Sequence, residues 1–318
     1  MIPFFVVDRP VSLEILKGFF AESLGKKFGI LTHAFTSKNF RKKFRNFPFE
    51  TPLKYVGLVD SKELNEKISQ NILKFVDSGI FLQKRISYEE LFEAYQFLNA
   101  DYGVIVDFLN DKEKTLHSAE EAIRFYRKGK WSFKLVGVAQ GRTIDEYLEC
   151  YENLVRLGYK YIALGGLLKR NGNSNYIRLS CEKFLKDLLI SVKKEFSPDW
   201  IFTFGIYNPK RHALLESLGV WGADYKGWIF EYEEDYSFVL DYLGSLDIPT
   251  LKKIELKELF KIYSLQRKKC SFYYSNDSEK KIISQLRKEI ELKLFEFNIS
   301  FQFFRFRRVR DNLMKYFG

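Results

Sequence analysis

The stretch KLVGVAQGRTIDEYLECYENLVRLGYKYIALGG, residues 134–166, contains one complete strand-helix-strand unit and decides the fold. Its first apolar run, 134–138, is continuous rather than alternating, which is typical of a strand buried on both faces of a parallel sheet. A helical pattern runs from Thr143 to Leu157 and ends at Gly158, a common helix stop. A second apolar run, 161–164, completes the unit. Two buried strands joined by a helix predict an α/β fold with a parallel sheet.

Similar units lie on both sides of this stretch. Helical patterns cover 181–195, 211–218 and 87–98, where Ser87 and Glu90 have the spacing of a capping box. Further strands are predicted by five apolar runs: 54–59, 74–76, 102–106, 200–204 and 219–223. Repeating units of about 20–35 residues predict a (β/α)8 TIM-like barrel over residues 1–250, and a doubly wound open sheet is the alternative.

The positive charge of the chain is concentrated near its C-terminal end. The net charge is +11, and residues 251–318 hold 17 Lys+Arg against 8 Asp+Glu. Because the pattern after Pro249 is mostly helical, we expect 251–318 to form a basic, aromatic, helical extension that binds nucleic acid. Four arginines alternate with aromatic residues there: Arg305, Arg307, Arg308 and Arg310. The alternative is an amphipathic segment that buries its rings and solvates its guanidinium groups. A second basic cluster covers residues 38–45.

Several classes of protein are excluded by what the sequence lacks. No apolar run reaches the roughly 18 residues that span a bilayer, and the N-terminus does not resemble a signal peptide, so we expect a cytoplasmic protein without a membrane partner. The three cysteines form no CxxC pair, and the three histidines form no HExxH motif. We therefore expect no metal site and no cofactor, and chemistry that depends on carboxylates.

Polar residues and glycines follow most of the predicted strands. In a barrel these positions converge on one mouth, where active sites form. They are Asp77 and Ser78, Asp107, Gln140 with Gly141 and Arg142, Gly165 and Gly166, Gly205, and Asp224. Each of them alone is also explained by a helix cap or a turn.

Carboxylates in one cavity support two kinds of chemistry. One of them can attack an acetal-like carbon as a nucleophile while a second moves protons, as in retaining glycosidases. A third Asp, with a Gln amide and backbone N–H groups beside glycines, can bind the edge of a purine. Guanine offers donors at N1 and its 2-amino group, which suit Asp, and an acceptor at O6, which suits Gln or a backbone N–H.

In order and spacing, these motifs resemble the tRNA-guanine transglycosylases. That family carries DSGGFQ, a later strand-end Asp, QGG, GG-L, GxGxP and GVDxFD. This chain has Asp77-Ser78-Gly79-Ile80-Phe81, then Asp107, Gln140-Gly141-Arg142, Gly165-Gly166-Leu167, Gly205-Ile206-Tyr207-Asn208-Pro209, and Gly219 to Asp224. The resemblance covers about residues 55–230.

The resemblance implies a glycosyltransferase that exchanges guanine in a nucleic acid for a 7-deazaguanine base. By position, Asp224 matches the nucleophile and Asp77 the general acid/base. Ser78, Asp107, Gln140 and Gly141, with the amides of Gly165 and Gly166, match the substrate-binding set. Arg142 and Lys226, near the mouth, are candidates for phosphate contacts, as are the four C-terminal arginines.

The departures from the family pattern favour DNA as the polymer. The chain lacks the CxCxxC…H zinc site of the tRNA-modifying members, and Ile80 and Arg142 replace family glycines. It is most similar to the zinc-free DNA-guanine transglycosylases, which implies insertion of 7-cyano-7-deazaguanine into DNA, with a homo-oligomer or a partner protein of a DNA modification system. The alternatives are the same exchange on tRNA, a non-catalytic nucleic-acid-binding subunit, and an unrelated barrel enzyme acting on a small phosphorylated substrate.

Overall fold

The computed structural model describes most of the chain. The described residues are 1–22, 26–51, 53, 60–79, 86–167, 170–171, 174–175, 179–226, 228, 249–269 and 277–296. The predicted strand at 54–59 and the four arginines at 305–310 lie outside these residues.

Eight parallel strands close into a barrel, as the sequence predicts. They are β1 (Ile2–Val6), β2 (Phe28–His33), β3 (Ile72–Asp77), β4 (Tyr102–Val104), β5 (Lys134–Ala139), β6 (Tyr161–Leu164), β9 (Ile201–Thr203) and β10 (Gly222–Tyr225). Their order around the barrel is β1-β10-β9-β6-β5-β4-β3-β2. A two-stranded antiparallel excursion, β7 (Arg170–Asn171) and β8 (Ser174–Asn175), follows β6.

Helices connect the strands on the outside of the barrel. They are α1 (Pro10–Glu22), α2 (Lys38–Arg45), α3 (Lys62–Asn71), α4 (Tyr88–Phe97), α5 (Lys112–Lys128), α6 (Ile144–Leu157), α7 (Leu179–Phe196) and α8 (His212–Ser217), which follows a short 3₁₀ helix (Pro209–Arg211). The predicted capping box at Ser87 and Glu90 is present at the start of α4. At the end of α6, Gly158 adopts the left-handed conformation of a helix stop.

The first two barrel strands are not among those predicted from the sequence. β1 and β2 close the barrel because β1 pairs with β10 on one side and with β2 on the other. The first of these pairings joins residues about 220 positions apart, so nothing local in the sequence indicates it. The strands predicted at 102–106 and 219–223 are present with shifted ends, as β4 and β10.

Aromatic side chains fill the N-terminal half of the barrel, which we call the floor. Phe4, Phe75 and Phe202 are fully buried, and their ring centroids lie 4.3–5.5 Å apart. Tyr102 stacks on Phe75 at 5.5 Å, and Trp200 stacks on Tyr102 at 5.6 Å. The floor is therefore a layer of closely packed aromatic rings beneath the opposite end of the barrel.

Two further helices follow Pro249, where the sequence predicts a helical extension. They are α9 (Thr250–Lys269) and α10 (Asp277–Phe295). They pack against each other, and Lys293 on α10 forms an ion pair of 3.0 Å with Glu255 on α9. No helix among the described residues has the length and apolar character needed to cross a bilayer.

Candidate active site

The C-terminal ends of the strands form a polar mouth directly above the aromatic floor. Side chains on a strand alternate between faces, so residues two apart point the same way. Phe75 points into the floor, and Asp77, two residues further along β3, therefore points into the mouth. The same spacing relates Gly222 to Asp224 on β10, where Gly222 faces the ring of Phe4. The predicted site residues that follow β5 and β6 lie at the same end of the barrel.

Asp107 and Gln140 form the central hydrogen bond of the mouth. Gln140 is 1% exposed, and its Nε2 donates to Oδ2 of Asp107 at 2.6 Å. Its Oε1 accepts the backbone N–H of Asn110 at 3.3 Å. Both ends of the carboxamide are thus fixed, so the orientation of the amide is determined by its partners.

Gly165 and Gly166 leave the space that Gln140 occupies. A Cβ at Gly165 would lie 2.3 Å from Nε2 of Gln140, and one at Gly166 would lie 2.5 Å from Oε1. Gly166 also has a φ of +69°, which favours glycine. The N–H of Gly165 donates to the carbonyl of Ala139 at 3.0 Å, and its own carbonyl accepts the Tyr147 hydroxyl at 2.6 Å. This turn is therefore shaped around the glutamine.

Gly141 and Arg142 lead from β5 into α6. A Cβ at Gly141 would lie 2.8 Å from the backbone nitrogen of Tyr147, so the first turn of the helix packs directly on this glycine. The backbone N–H of Arg142 donates to Glu146 at 2.6 Å, and its side chain is exposed. Lys226, just beyond β10, is also exposed. Both predicted phosphate contacts thus reach solvent at the rim of the mouth.

Asp224 and Asp77 lie on β10 and β3. Asp224 is 7% exposed, and its Oδ1 accepts the backbone N–H of Gly205 at 2.5 Å. Oδ1 of Asp77 faces the buried Ser78 hydroxyl at 3.4 Å. Among the described residues, no ion pair neutralises Asp77, Asp107 or Asp224.

The three carboxyl groups hold their protons more tightly than free aspartate does. The pKa of Asp224 is raised to about 7, mainly by burial, which the Gly205 hydrogen bond opposes and the charge of Asp77 reinforces. Burial likewise raises the pKa of Asp107 to about 7, with Asp77 adding to the effect and Gln140 opposing it. Burial also raises the pKa of Asp77 itself, which hydrogen bonds from Ser78 and Gly79 partly offset. The charge of Asp77 thus raises the pKa of both of the other carboxyls.

The structure adds His33 to the residues predicted from the sequence. His33 ends β2 and lies beside Asp77 in the strand register. Its signal in the sequence is the one that picks out Asp77, a polar residue directly after an apolar run. Asn110 is a second addition, because its backbone holds Gln140.

No grouping of three or more His, Cys, Asp or Glu side chains in the described part of the chain has the arrangement of a metal site. The acidic residues of the mouth bond instead to an amide, a backbone N–H and a hydroxyl.

Comparison with known proteins identifies the fold. No protein-family model and no curated protein sequence matches the chain. A solved structure of a probable tagatose 6-phosphate kinase from Sinorhizobium meliloti 1021 is similar over 99% of both chains, with 12% identity and a TM-score of 0.55. The YdjI aldolase of Escherichia coli K12 is similar over 86% of this chain and 91% of its own, with 12% identity and a TM-score of 0.45. At such identities the likeness concerns architecture alone, and the closed eight-stranded topology makes this chain a (β/α)8 barrel.

Proposed function

We propose that the protein is a guanine transglycosylase that exchanges guanine in DNA for 7-cyano-7-deazaguanine through a covalent aspartyl intermediate. The observation that carries the proposal is a set of carboxyls at one barrel mouth, on β3, after β4 and on β10, that form no ion pair with any residue the structure describes. Asp107 in this set is fixed by an amide that also suits a purine. The sequence motifs of the transglycosylases fall on the same residues.

In the first step, a carboxylate oxygen of Asp224 attacks C1′ of the target nucleotide. The C1′–N9 bond breaks, its electron pair leaves with the guanine, and the Asp77 carboxyl supplies the proton that neutralises the departing base. The hydrogen bond from Gly205 holds the attacking carboxylate in place.

In the second step, the Asp77 carboxylate takes the N9 proton of the incoming base. N9 attacks C1′, the bond from C1′ to Asp224 breaks, and the carboxylate is released. The two aspartates must therefore share one proton at the working pH, which suits two carboxyls whose pKa values are both raised by burial.

Asp107 and Gln140 are placed to bind the base. When ionised, Asp107 accepts from N1–H and the 2-amino group, which guanine and its 7-cyano-7-deaza analogue share. The N–H of Gly165 already donates to the carbonyl of Ala139. We therefore assign the N–H of Gly166 as the backbone donor to O6 of the base.

Release of labelled guanine tests the reaction. The protein is incubated with 7-cyano-7-deazaguanine and either DNA or tRNA carrying labelled guanine. We expect release from DNA. Release from tRNA alone would show that tRNA, and not DNA, is the substrate. No release from either polymer would refute the exchange.

Trapping of the covalent adduct tests the role of Asp224. The wild-type protein stalled without incoming base should form a protein–DNA adduct that survives denaturation. Asp224→Asn should form none, because a neutral amide is a poor nucleophile. Asp187→Asn, on α7 outside the mouth, is the matched control and should trap normally.

A further inference from the structure

The mouth has one sector that the exchange chemistry leaves unused. Around the barrel, the base-binding residues follow β4, β5 and β6, and Asp77 and Asp224 lie on β3 and β10. Between these two aspartates, on the far side from the base, lie only β1 and β2. We call the ends of these two strands the β1–β2 sector.

On β2, the last side chain, His33, points into the mouth. Gly29 on β2 faces the ring of Phe4 in the barrel interior, and His33 lies four residues further on the same face. Nδ1 of the ring is buried and has no hydrogen-bond partner in the part of the chain that the structure describes. It lies 3.2 Å from where a Cβ of Gly79 would stand, and Gly79 has a φ of +73°. Since the side chain as a whole is half-buried, the Nε2 edge is the part that a ligand reaches.

Charged groups of both signs lie around His33. Burial is the main cause that lowers the pKa of His33, Asp8 at the end of β1 opposes it, and Lys226 beyond β10 adds a smaller lowering. The Asp8 carboxylate lies 3.5 Å from Arg9. Asp77 flanks the sector from β3. The imidazole is therefore neutral at pH 7 and able to donate one hydrogen bond.

The helix that follows β2 extends the positive charge outward. The sequence of α2, KNFRKKFR, contains no acidic residue, and Phe40 and Phe44 anchor it in the core. Because α2 starts directly after β2, its first residue, Lys38, is nearest the mouth. Lys38 and Lys42 are exposed. This helix is the second basic cluster of the sequence, which the exchange chemistry does not use.

We propose that the β1–β2 sector binds the phosphate backbone of the target strand, with Nε2 of His33 donating to a phosphate beside the exchanged nucleotide and α2 continuing the track. The proposal rests on the proposed function, because a base over β4–β6 and a C1′ at Asp224 leave the sugar and its phosphates on this side. It assigns His33 to substrate binding rather than to the proton transfers.

Two substitutions at His33 distinguish the roles of its two ring nitrogens. Gln places an amide N–H near Nε2, and Asn places one near Nδ1. With a single-guanine oligodeoxynucleotide as substrate, His33→Asn and His33→Ala should each raise KM about tenfold, the loss of one hydrogen bond to a charged group. His33→Gln should stay within about twofold, and kcat should change little in all three. His117→Gln, at an exposed site on α5, is the matched control.

A neutral phosphate provides the decisive readout. With a methylphosphonate at the target phosphate, His33→Ala should lose no further affinity, because the partner of the contact is already weakened. The double variant Lys38→Gln, Lys42→Gln should reduce the slope of log affinity against log salt by about 1.4–1.8. An equal penalty on both substrates, or a fall in kcat alone, would overturn the inference.

Direct binding keeps this test separate from the exchange activity. The affinity of each variant for the same oligodeoxynucleotide is measured by fluorescence anisotropy. If the wild-type protein binds but releases no guanine, the proposed function fails, and weaker binding by His33→Asn than by His33→Gln still supports the backbone site. Equal binding by wild type, His33→Asn and His33→Ala refutes it.

Discussion

The two ends of the barrel treat ionisable groups in opposite ways. At the floor end, charged groups have partners. Lys74 donates from Nζ to the carbonyl of Arg45 at 2.7 Å, and its backbone N–H donates to Asp101, also at 2.7 Å. A cavity of about 540 Å³ opens beside them, lined by these same residues. At the mouth, three carboxyls lie at the ends of β3, β4 and β10 and lack any cation at ion-pair distance among the described residues.

This contrast shows where the barrel tolerates an electrostatic cost. Burial lowers the pKa of Lys74 to about 8, and Asp101 opposes the shift. Burial raises the pKa of Asp107 and Asp224 to about 7, and Asp77 reinforces both shifts instead of opposing them. Buried groups whose pKa values are shifted in this way are typical of functional sites. We therefore place the proposed chemistry at the mouth and not at the floor.

The largest expected effect comes from removing the charge of Asp77. Asp77→Asn should lower kcat for guanine release about 10³-fold, in the range of lost general acid–base catalysis. It should also lower the pKa of Asp224, because the carboxylate that opposes its ionisation is gone. The acid limb of the residual pH–rate profile should therefore move to lower pH.

That shift of the pH profile separates chemistry from misfolding. Asp77→Asn should keep its circular dichroism spectrum and thermal midpoint, while Asp111→Asn, on an exposed cap of α5, should leave the acid limb where it is. An unchanged acid limb in Asp77→Asn would show that the carboxyls of the mouth are not coupled.

The next effect comes from the floor. Phe75→Ala removes a fully buried ring that contacts Phe4, Tyr102 and Phe202, and it should lower the free energy of unfolding by about 3–4 kcal/mol. Urea denaturation measures the loss. Phe49→Ala, at a side chain that is 53% exposed, should cost far less. Equal losses at both sites would show that the floor is not the packed core of the barrel.

The sequence predicts the middle of this fold better than its closure. The unit from β5 to β6 is predictable because its signals are local, with Thr143 capping α6 and Gly158 ending it. β1 and β2 are not, because short apolar runs become strands only through distant pairing partners. Asp77, Asp107, Gln140 and Asp224 are predictable as neighbours because parallel strands bring their ends together.

Other features of the site depend on atomic contacts that no sequence pattern encodes. His33 meets the strand-end criterion that picks out Asp77, but the criterion applies only once β2 is known to be a strand, which its pairing with β1 and β3 establishes. The hydrogen bond from Asn110 to Gln140 depends on the path of a loop. The hydrogen bond from the N–H of Gly165 to the carbonyl of Ala139 depends on the register of β5 and β6.

A smaller effect tests the electrostatic cost of the mouth through its pH dependence. In the folded protein the pKa of Asp107 is about 7, against 3.8 for an unperturbed aspartate. Between these two pKa values the folded protein keeps a proton that the unfolded chain releases. The free energy of unfolding of the wild type therefore falls as pH rises from about 4 to 7. Asp107→Asn should match wild type near pH 4 and gain about 2 kcal/mol at pH 8, a value reduced for its partial exposure.

Thermal denaturation across pH measures this gain. Asp111→Asn is the control of opposite sign, because hydrogen bonds from Lys114 lower the pKa of Asp111, so this variant should gain nothing at pH 8. A gain for Asp107→Asn that is equal at pH 4 and pH 8 would contradict a buried, titrating carboxyl.

The smallest expected effect lies at the floor end and tests whether the two ends act independently. Nζ of Lys134 lies 5.0 Å from the ring centroid of Tyr102 and 5.3 Å from that of Tyr161. Because the side chain is exposed, Lys134→Met should lower the free energy of unfolding by only about 0.5–1 kcal/mol, the range of an exposed cation–π contact. Urea denaturation measures the loss, and guanine release should be unchanged. A fall in guanine release would mean that packing at the floor affects the carboxyls of the mouth. The two ends of the barrel would then not act independently.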